Sequence, residues 1–193
     1  MIRFLGWSIN DDSPPNKYLS VFDYDKNRNY RFVIQNGNTI KMLDSKFNNV
    51  RGFKRTKLKS EIEQKIKHIR ISNKDYLVLV GKDGVPLILD RRGNIRIKLP
   101  KNLIIGQNNF YANSNSFVTI NNLNQLIRIE LNGKVSSKQL PDEKHLIYAD
   151  ENNLFIHSNG RILINNNEFK IPYGDFVGLN TVSYTHLTLP TKA

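Results

Sequence analysis

The side chains best suited to acid–base or metal chemistry are a few scattered histidines. Outside the last twelve residues these are His68, His145 and His157, and none belongs to a paired motif such as HExxH. A single histidine in a strand is more often held by the surrounding structure than used as a ligand. The sequence therefore predicts no metal site at these positions.

Three carboxylates recur at corresponding points of the chain. Asp44, Asp90 and Glu130 each follow an apolar run. Paired carboxylates can hydrolyse glycosides if the fold brings them together, although an Asp beside a hairpin also bonds to local backbone amides. Residues Gly81 to Gly84 lack the rest of a phosphate-binding loop and indicate a hairpin turn instead. We predict no catalytic residue and no cofactor.

The largest charge asymmetry lies between Arg51 and Arg70. Eight basic residues stand there against two glutamates, giving +6 of a formal net charge of +12. Such a segment is a candidate surface for nucleic acid or another anionic polymer. Single-strand binders present several stacking aromatics, whereas this run is mostly aliphatic, so we favour a solvated loop and do not expect nucleic acid as the partner. The candidate patch comprises Arg51, Lys54, Arg55, Lys57, Lys59, Lys65, Lys67 and Arg70.

Composition indicates a globular, soluble chain. It has 193 residues, of which 39% are hydrophobic, and no cysteine, so disulfides and thiolate metal sites are excluded. The longest apolar runs, Tyr76 to Val80 and Val85 to Leu89, have strand length and fall far short of the ~20 residues that cross a bilayer. No signal-peptide pattern opens the chain.

The C-terminal end differs from everything before it. Residues 182–193 contain no Asn, and the run SYTHLTLPT resembles translated sequencing-adapter read-through. We predict that residues 182–193 are a non-native tail and set His186 aside. The domain is assigned to residues 1–181, and we expect the native chain to continue past Thr181.

A cassette of short apolar runs and turn residues recurs at a spacing of roughly forty residues. In one copy, Tyr76 to Val80 and Val85 to Leu89 flank a Lys-Asp-Gly turn, and Ile95 to Leu99 follows a second turn. Another short apolar stretch precedes each cassette, which makes four strands per unit. The units span about residues 18–54, 66–100, 109–140 and 145–173.

The patterning inside a unit predicts how its sheet is covered. Tyr76 to Val80 is apolar on both faces, as in a sheet packed on both sides, whereas Ile95 to Leu99 alternates like an edge strand. Together with the repeat, this predicts an all-β, partial β-propeller of about four four-stranded antiparallel blades, truncated at both ends. Ile2 to Trp7 aligns with Val50 to Phe53 as the last strand of an incomplete blade.

Two alternatives stay open at this level. A sandwich or an open β-meander would also use short alternating strands. Locally, residues 58 to 64 are expected to form at most a short helix or a loop that leads into a strand.

Leu43 to Phe53 and Leu89 to Asn94 resemble the strand-turn-strand element of quinoprotein-like propeller repeats. Gly93-Asn94 and Gly133-Lys134 keep the turn of that repeat, while Trp7 is the only tryptophan. The resemblance implies the fold, and no quinone cofactor is carried over.

Asp23 to Ile34 is similar to the acidic loop and following strand of FG-GAP-type propeller repeats, in which the loop binds calcium. Arg28 occupies the position of the loop glycine and Arg31 that of the final acid, so a vestigial loop is expected. The resemblance implies three candidate calcium ligands, Asp23, Asp25 and Asn27.

As a whole, residues 1–181 resemble the propeller-like repeat regions of uncharacterised envelope proteins of Bacteroidota. We predict a non-catalytic binding or scaffolding segment of a larger secreted or periplasmic protein, whose loops contact a protein, peptide or glycan. Periplasmic or cell-surface localisation depends on a signal peptide in the full-length chain. Two other functions stay open: an enzyme, as a degenerate quinoprotein or a hydrolase with carboxylates at the channel mouth, and a basic binder of nucleic acid or anionic polymers.

Overall fold

The computed structural model describes residues 19–36, 38–54, 58–62, 64–106, 109–140, 146–158, 161–165 and 167–170. Strands are the only regular elements in these ranges, which hold no helix with the length and hydrophobicity to cross a membrane. The predicted strand from Ile2 to Trp7, His145 and the 182–193 tail lie outside the described residues.

Within those ranges, fifteen strands form four antiparallel sheets, each built from consecutive strands. The first sheet contains β1 (Leu19–Phe22), β2 (Arg31–Asn36) and β3 (Thr39–Leu43). The second contains β4 (Lys67–Ile71), β5 (Lys74–Val80), β6 (Pro86–Leu89) and β7 (Ile95–Ile97). The third contains β8 (Tyr111–Asn113), β9 (Ser116–Ile120), β10 (Gln125–Glu130) and β11 (Val135–Gln139). The fourth contains β12 (Leu146–Ala149), β13 (Leu154–Ser158), β14 (Arg161–Ile164) and β15 (Asn167–Lys170).

Apolar side chains fill the space between successive sheets. Leu77 and Leu79 of β5 pack with the first sheet, while Tyr76, Val78 and Val80 of the same strand pack with the third. A smaller cluster, including Ile120 and Ile156, lies between the third and fourth sheets. The prediction that Tyr76 to Val80 is buried on both faces is confirmed. The all-β partial propeller is confirmed with it.

The first strands of the last three sheets lie side by side. β8 contacts both β4 and β12, so these sheets fan out from neighbouring inner strands. The turns that follow these strands are also linked, because Ser72 Oγ donates to Asn115 Oδ1 at 2.6 Å and Asn113 Nδ2 donates to the Asp150 carbonyl at 3.0 Å. The last three sheets are therefore also linked through turns at one end.

The turn that follows the third strand has the same geometry in three sheets. The backbone amide of Asp44, Asp90 or Glu130 donates to the carbonyl four residues later at 2.9 Å in each case. The residue three positions after each acid has a positive φ, namely 61° at Phe47, 77° at Gly93 and 91° at Gly133. The sequence repeat is therefore reproduced in backbone hydrogen bonds.

The predicted strand from Val50 to Phe53 is wrong as a regular strand. An isolated bridge between Leu43 and Asn49 lies just before this segment, and the Val50 amide donates to the Met42 carbonyl at 2.9 Å. The Phe53 amide donates to the Val50 carbonyl at 3.2 Å, which is a turn and not a strand pairing. Gly52 has a φ of 83°, which no extended strand accommodates. The first sheet consequently has three strands.

The predicted alternation of Ile95 to Leu99 is also only partly right. Ile97 is buried, but the Ile95 side chain is 57% exposed. The cause is a register shift opposite Ile88 and Leu89, which pair with Ile97 and Ile95. A bulge turns successive side chains to unexpected faces, and the hydrophobic pattern alone does not reveal it.

Candidate functional site

The recurring carboxylates act within their own turns. Each Oδ1 of Asp44 and Asp90 accepts hydrogen bonds from the backbone amides two and four residues later, at 2.8 to 2.9 Å. The bond from Asn48 is the largest cause that lowers the pKa of Asp44. At Asp90 burial raises the pKa, but hydrogen bonds from Asn94 and Arg92 outweigh it and the pKa falls. Both acids cap turns, one in each of two successive sheets.

The candidate calcium ligands lie in the loop between β1 and β2. The Asp23 carboxylate accepts from the backbone amides of Asn27 and Arg28 at 3.1 and 2.9 Å, and Asp25 Oδ1 accepts from Arg91 Nη2 at 2.9 Å. Among the described residues, no group of three or more His, Cys, Asp or Glu side chains is arranged to hold a metal ion. The calcium site stays a prediction.

A buried carboxylate forms the centre of a charged cluster between the first two sheets. The Asp75 side chain is 4% exposed. Its Oδ1 lies 2.7 Å from His68 Nε2, and its Oδ2 accepts from Arg91 Nε at 2.5 Å. Burial of a carboxylate is favourable only when donors replace its water, and these two side chains supply them.

The same cluster reaches across to the first sheet. Arg70 Nη1 donates to the Tyr24 carbonyl at 2.8 Å, and the Arg91 guanidinium lies 4.7 Å from the centre of the Tyr24 ring. Burial, and next the Asp75 charge, raise the pKa of the Tyr24 hydroxyl well above its usual range. We call these six residues the charged cluster: Tyr24, Asp25, His68, Arg70, Asp75 and Arg91.

A histidine beside a carboxylate is also the geometry of a general base. In this molecule the His68 ring is packed against Phe22 and Tyr24, with ring centres 5.5 and 4.9 Å apart. The Tyr24 ring is itself buried, and Arg91 of the second sheet lies over it. The arrangement connects the two sheets and holds the loop between β1 and β2 in place.

The described residues of the predicted basic patch have different surroundings, and the patch stays a prediction. Lys67 and Arg70 lie on β4, where Lys67 contacts the Tyr111 ring and Arg70 belongs to the charged cluster. Arg55 and Lys57 lie outside the described residues. The remaining four are exposed, namely Arg51, Lys54, Lys59 and Lys65.

Lys67 should titrate near physiological pH. Burial lowers the pKa of its ammonium group from 10.5 to about 8. The unfolded chain then binds this proton more tightly than the folded protein, so the free energy of unfolding should rise as the pH increases from about 8 to 10.5. NMR of reductively ¹³C-methylated lysines should show one resonance with a pKa of about 8 that is missing in Lys67→Arg. Its absence from the wild-type spectrum would contradict the prediction.

A cavity of about 350 Å³ adjoins the charged cluster at the end of the second sheet. Its lining comes from the turn before β5, the start of β5, the turn before β7 and β7 itself: Asn73, Lys74, Asp75, Asp90, Arg91, Arg92 and Arg96. Neither the charged cluster nor the cavity was predicted from the sequence. The available signal was the concentration of three arginines around one turn, at Arg91, Arg92 and Arg96.

No family model matches this chain, and no curated protein matches it. Solved structures do match. BBS1N in complex with ARL6DN, soaked with mercury, superposes with a TM-score of 0.55 and 13% identity over 79% of this chain and 52% of that one. The same complex soaked with lead gives a TM-score of 0.50 and 15% identity over 82% of this chain and 57% of that one.

Kluyveromyces lactis Hsv2 gives a TM-score of 0.50 and 16% identity over 74% of this chain and 47% of that one. The chain therefore spans about half the length of the solved structures it matches. These structures are propeller-like, and at such identities the similarity shows the fold.

Proposed function

We propose that this chain is a non-catalytic binding or scaffolding segment of a β-propeller that belongs to a larger secreted or periplasmic protein. Three side chains with catalytic potential have structural partners, which supports this proposal: Asp44 and Asp90 cap turns, and His68 contacts Asp75. The structural neighbour BBS1N is in complex with ARL6DN, which is consistent with a protein-binding role for propellers of this shape. The resemblances to quinoprotein-like and FG-GAP-type repeats, and the overall resemblance to repeat regions of Bacteroidota envelope proteins, belong to the same proposal.

The observation that carries the binding role is a pair of exposed apolar side chains on neighbouring loops. Ile104 is 57% and Leu123 is 72% exposed. A Cβ added to Gly84 would lie 2.7 Å from Ile104, and one added to Gly106 would lie 2.0 Å from the Asn122 side chain. Exposed apolar side chains that lie on neighbouring loops form a candidate contact site for a protein or peptide.

This proposal predicts a loop-dependent interaction. On a peptide array at physiological salt, the wild-type chain should bind a discrete set of peptides, and the double variant Ile104→Ser/Leu123→Ser should lose most of that signal. Ile95→Ser is the matched control, because Ile95 is as exposed as Ile104 but lies on β7 after the turn at the other end of the sheet.

Three outcomes would contradict the proposal. The first is equal loss of binding in the control, and the second is the absence of peptide binding by the wild-type chain. The third is hydrolysis of a glycoside substrate that disappears in Asp44→Asn or Asp90→Asn, which would favour the enzyme. The complete reading frame gives an independent test, since a signal peptide and further blades support the proposal, whereas a fused catalytic domain reduces this segment to an accessory role.

A further inference from the structure

The cavity at the end of the second sheet has a positively charged lining. Four cationic side chains face two carboxylates, which leaves two net positive charges. The carboxylates are already engaged, because Asp75 pairs with His68 and Arg91 while Asp90 accepts bonds from its own turn. Arg91 is neutralised in turn by Asp75 and Asp25.

The remaining cations are available to a ligand. Lys74, Arg92 and Arg96 are exposed, and no ion pair within the described part of the chain includes them. The Arg96 guanidinium lies 5.2 Å from the centre of the Tyr76 ring, a cation–π contact that restricts its position. These three cations belong to different elements of the second sheet. They therefore line the cavity from more than one side.

The fold itself does not require these charges. The third sheet has the same two turns, as the pairing of Asn113 with Ser116 and the bond from the Glu130 amide to the Lys134 carbonyl show. Counting from those turns, every cation of the cavity is replaced by a neutral residue in the third sheet. Lys74, Arg91, Arg92 and Arg96 correspond to Ser116, Leu131, Asn132 and Ser136.

We propose that this cavity binds a phosphate-type dianion. A phosphate monoester carries close to two negative charges and three acceptor oxygens, which match the net charge of the lining and its three available cations. A single carboxylate has one charge and two oxygens and would leave one cation without a partner. Arginine is well suited to this chemistry because its planar group donates two parallel hydrogen bonds to such an anion. The site lies apart from Ile104 and Leu123 and goes beyond the binding role proposed above.

Calorimetric titration of the folded chain at low ionic strength tests the site. Inorganic phosphate should bind saturably, and the double variant Arg92→Gln/Arg96→Gln should bind it at least about tenfold more weakly. Lys134→Gln/Lys138→Gln is the matched control, because it removes the same charge from exposed positions of the third sheet. Thermal unfolding confirms that both variants are folded, and Lys74→Gln provides a second variant if the double variant is not.

The titration has separate arms for the source of the phosphate group. A phosphoserine peptide that binds much more tightly than inorganic phosphate would identify a phosphorylated chain as the ligand, and equal binding would identify a free phosphate. The absence of saturable phosphate binding by the wild-type chain, or equal weakening in the control, would overturn the inference. Ile104→Ser/Leu123→Ser should leave phosphate binding unchanged, so failure of this site and failure of the proposed function are distinguishable.

Discussion

Replacement of Asp75 by alanine is expected to lower the free energy of unfolding by about 2 to 4 kcal/mol. The substitution removes the carboxylate that His68 and Arg91 both contact, and it leaves these side chains without that partner at the junction of two sheets. The loss in free energy of unfolding should be smaller than that caused by breaking a fully buried ion pair, because Arg91 is 40% exposed and still pairs with Asp25. Urea denaturation at neutral pH measures the change.

The control for this prediction is a surface ion pair. Glu168 lies 3.3 Å from Arg161, with both side chains about half exposed, so Glu168→Gln should change stability by less than about 1 kcal/mol. A double-mutant cycle of Asp75→Ala with Arg91→Ala should give a coupling energy of about 1 kcal/mol or more. If Asp75→Ala and Glu168→Gln cost the same, the charged cluster does not connect the sheets.

Most of the fold could be predicted from the repeat because the apolar strand patterns and the turn residues of each unit indicate the same order of strands. The apolar runs Tyr76 to Val80 and Val85 to Leu89 correspond to β5 and β6 with boundaries correct to within two residues. Two predicted strands were wrong in part, and in both cases the cause is a backbone conformation that the hydrophobic pattern does not reveal. At Val50 to Phe53 the left-handed Gly52 interrupts an apolar run, and at Ile95 a bulge changes which side chain faces the core.

The site was much less predictable, because its members come together only in the folded chain. Asp25 and Arg91 are 66 positions apart, and His68 and Asp75 lie on two paired strands. Their individual positions look ordinary in the sequence, where Asp75 precedes an apolar strand and Arg91 follows one. The basic segment drew attention by its composition, yet composition does not reveal that Arg70 is held by the Tyr24 carbonyl.

The second large effect is expected at Gly93. Its φ of 77° lies in the left-handed region, and an added Cβ would lie 2.7 Å from the Lys54 carbonyl oxygen. That oxygen belongs to the backbone that leaves the first sheet, and the Lys54 amide donates to the Arg92 carbonyl at 2.7 Å in the same contact. Because the backbone cannot move aside without losing this bond, Gly93→Ala should cost about 2 to 4 kcal/mol in urea denaturation.

Gly52 supplies the control that separates backbone strain from the close approach. Its φ is 83°, similar to that of Gly93, but nothing lies within 4 Å of an added Cβ. Gly52→Ala should therefore cost only the left-handed strain, about 1 to 2 kcal/mol. The further loss in free energy of unfolding caused by Gly93→Ala, compared with Gly52→Ala, measures the contact between the backbone that leaves the first sheet and the turn before β7. If the two variants are equally destabilised, that contact is absent, and the side-by-side arrangement of these sheets is wrong.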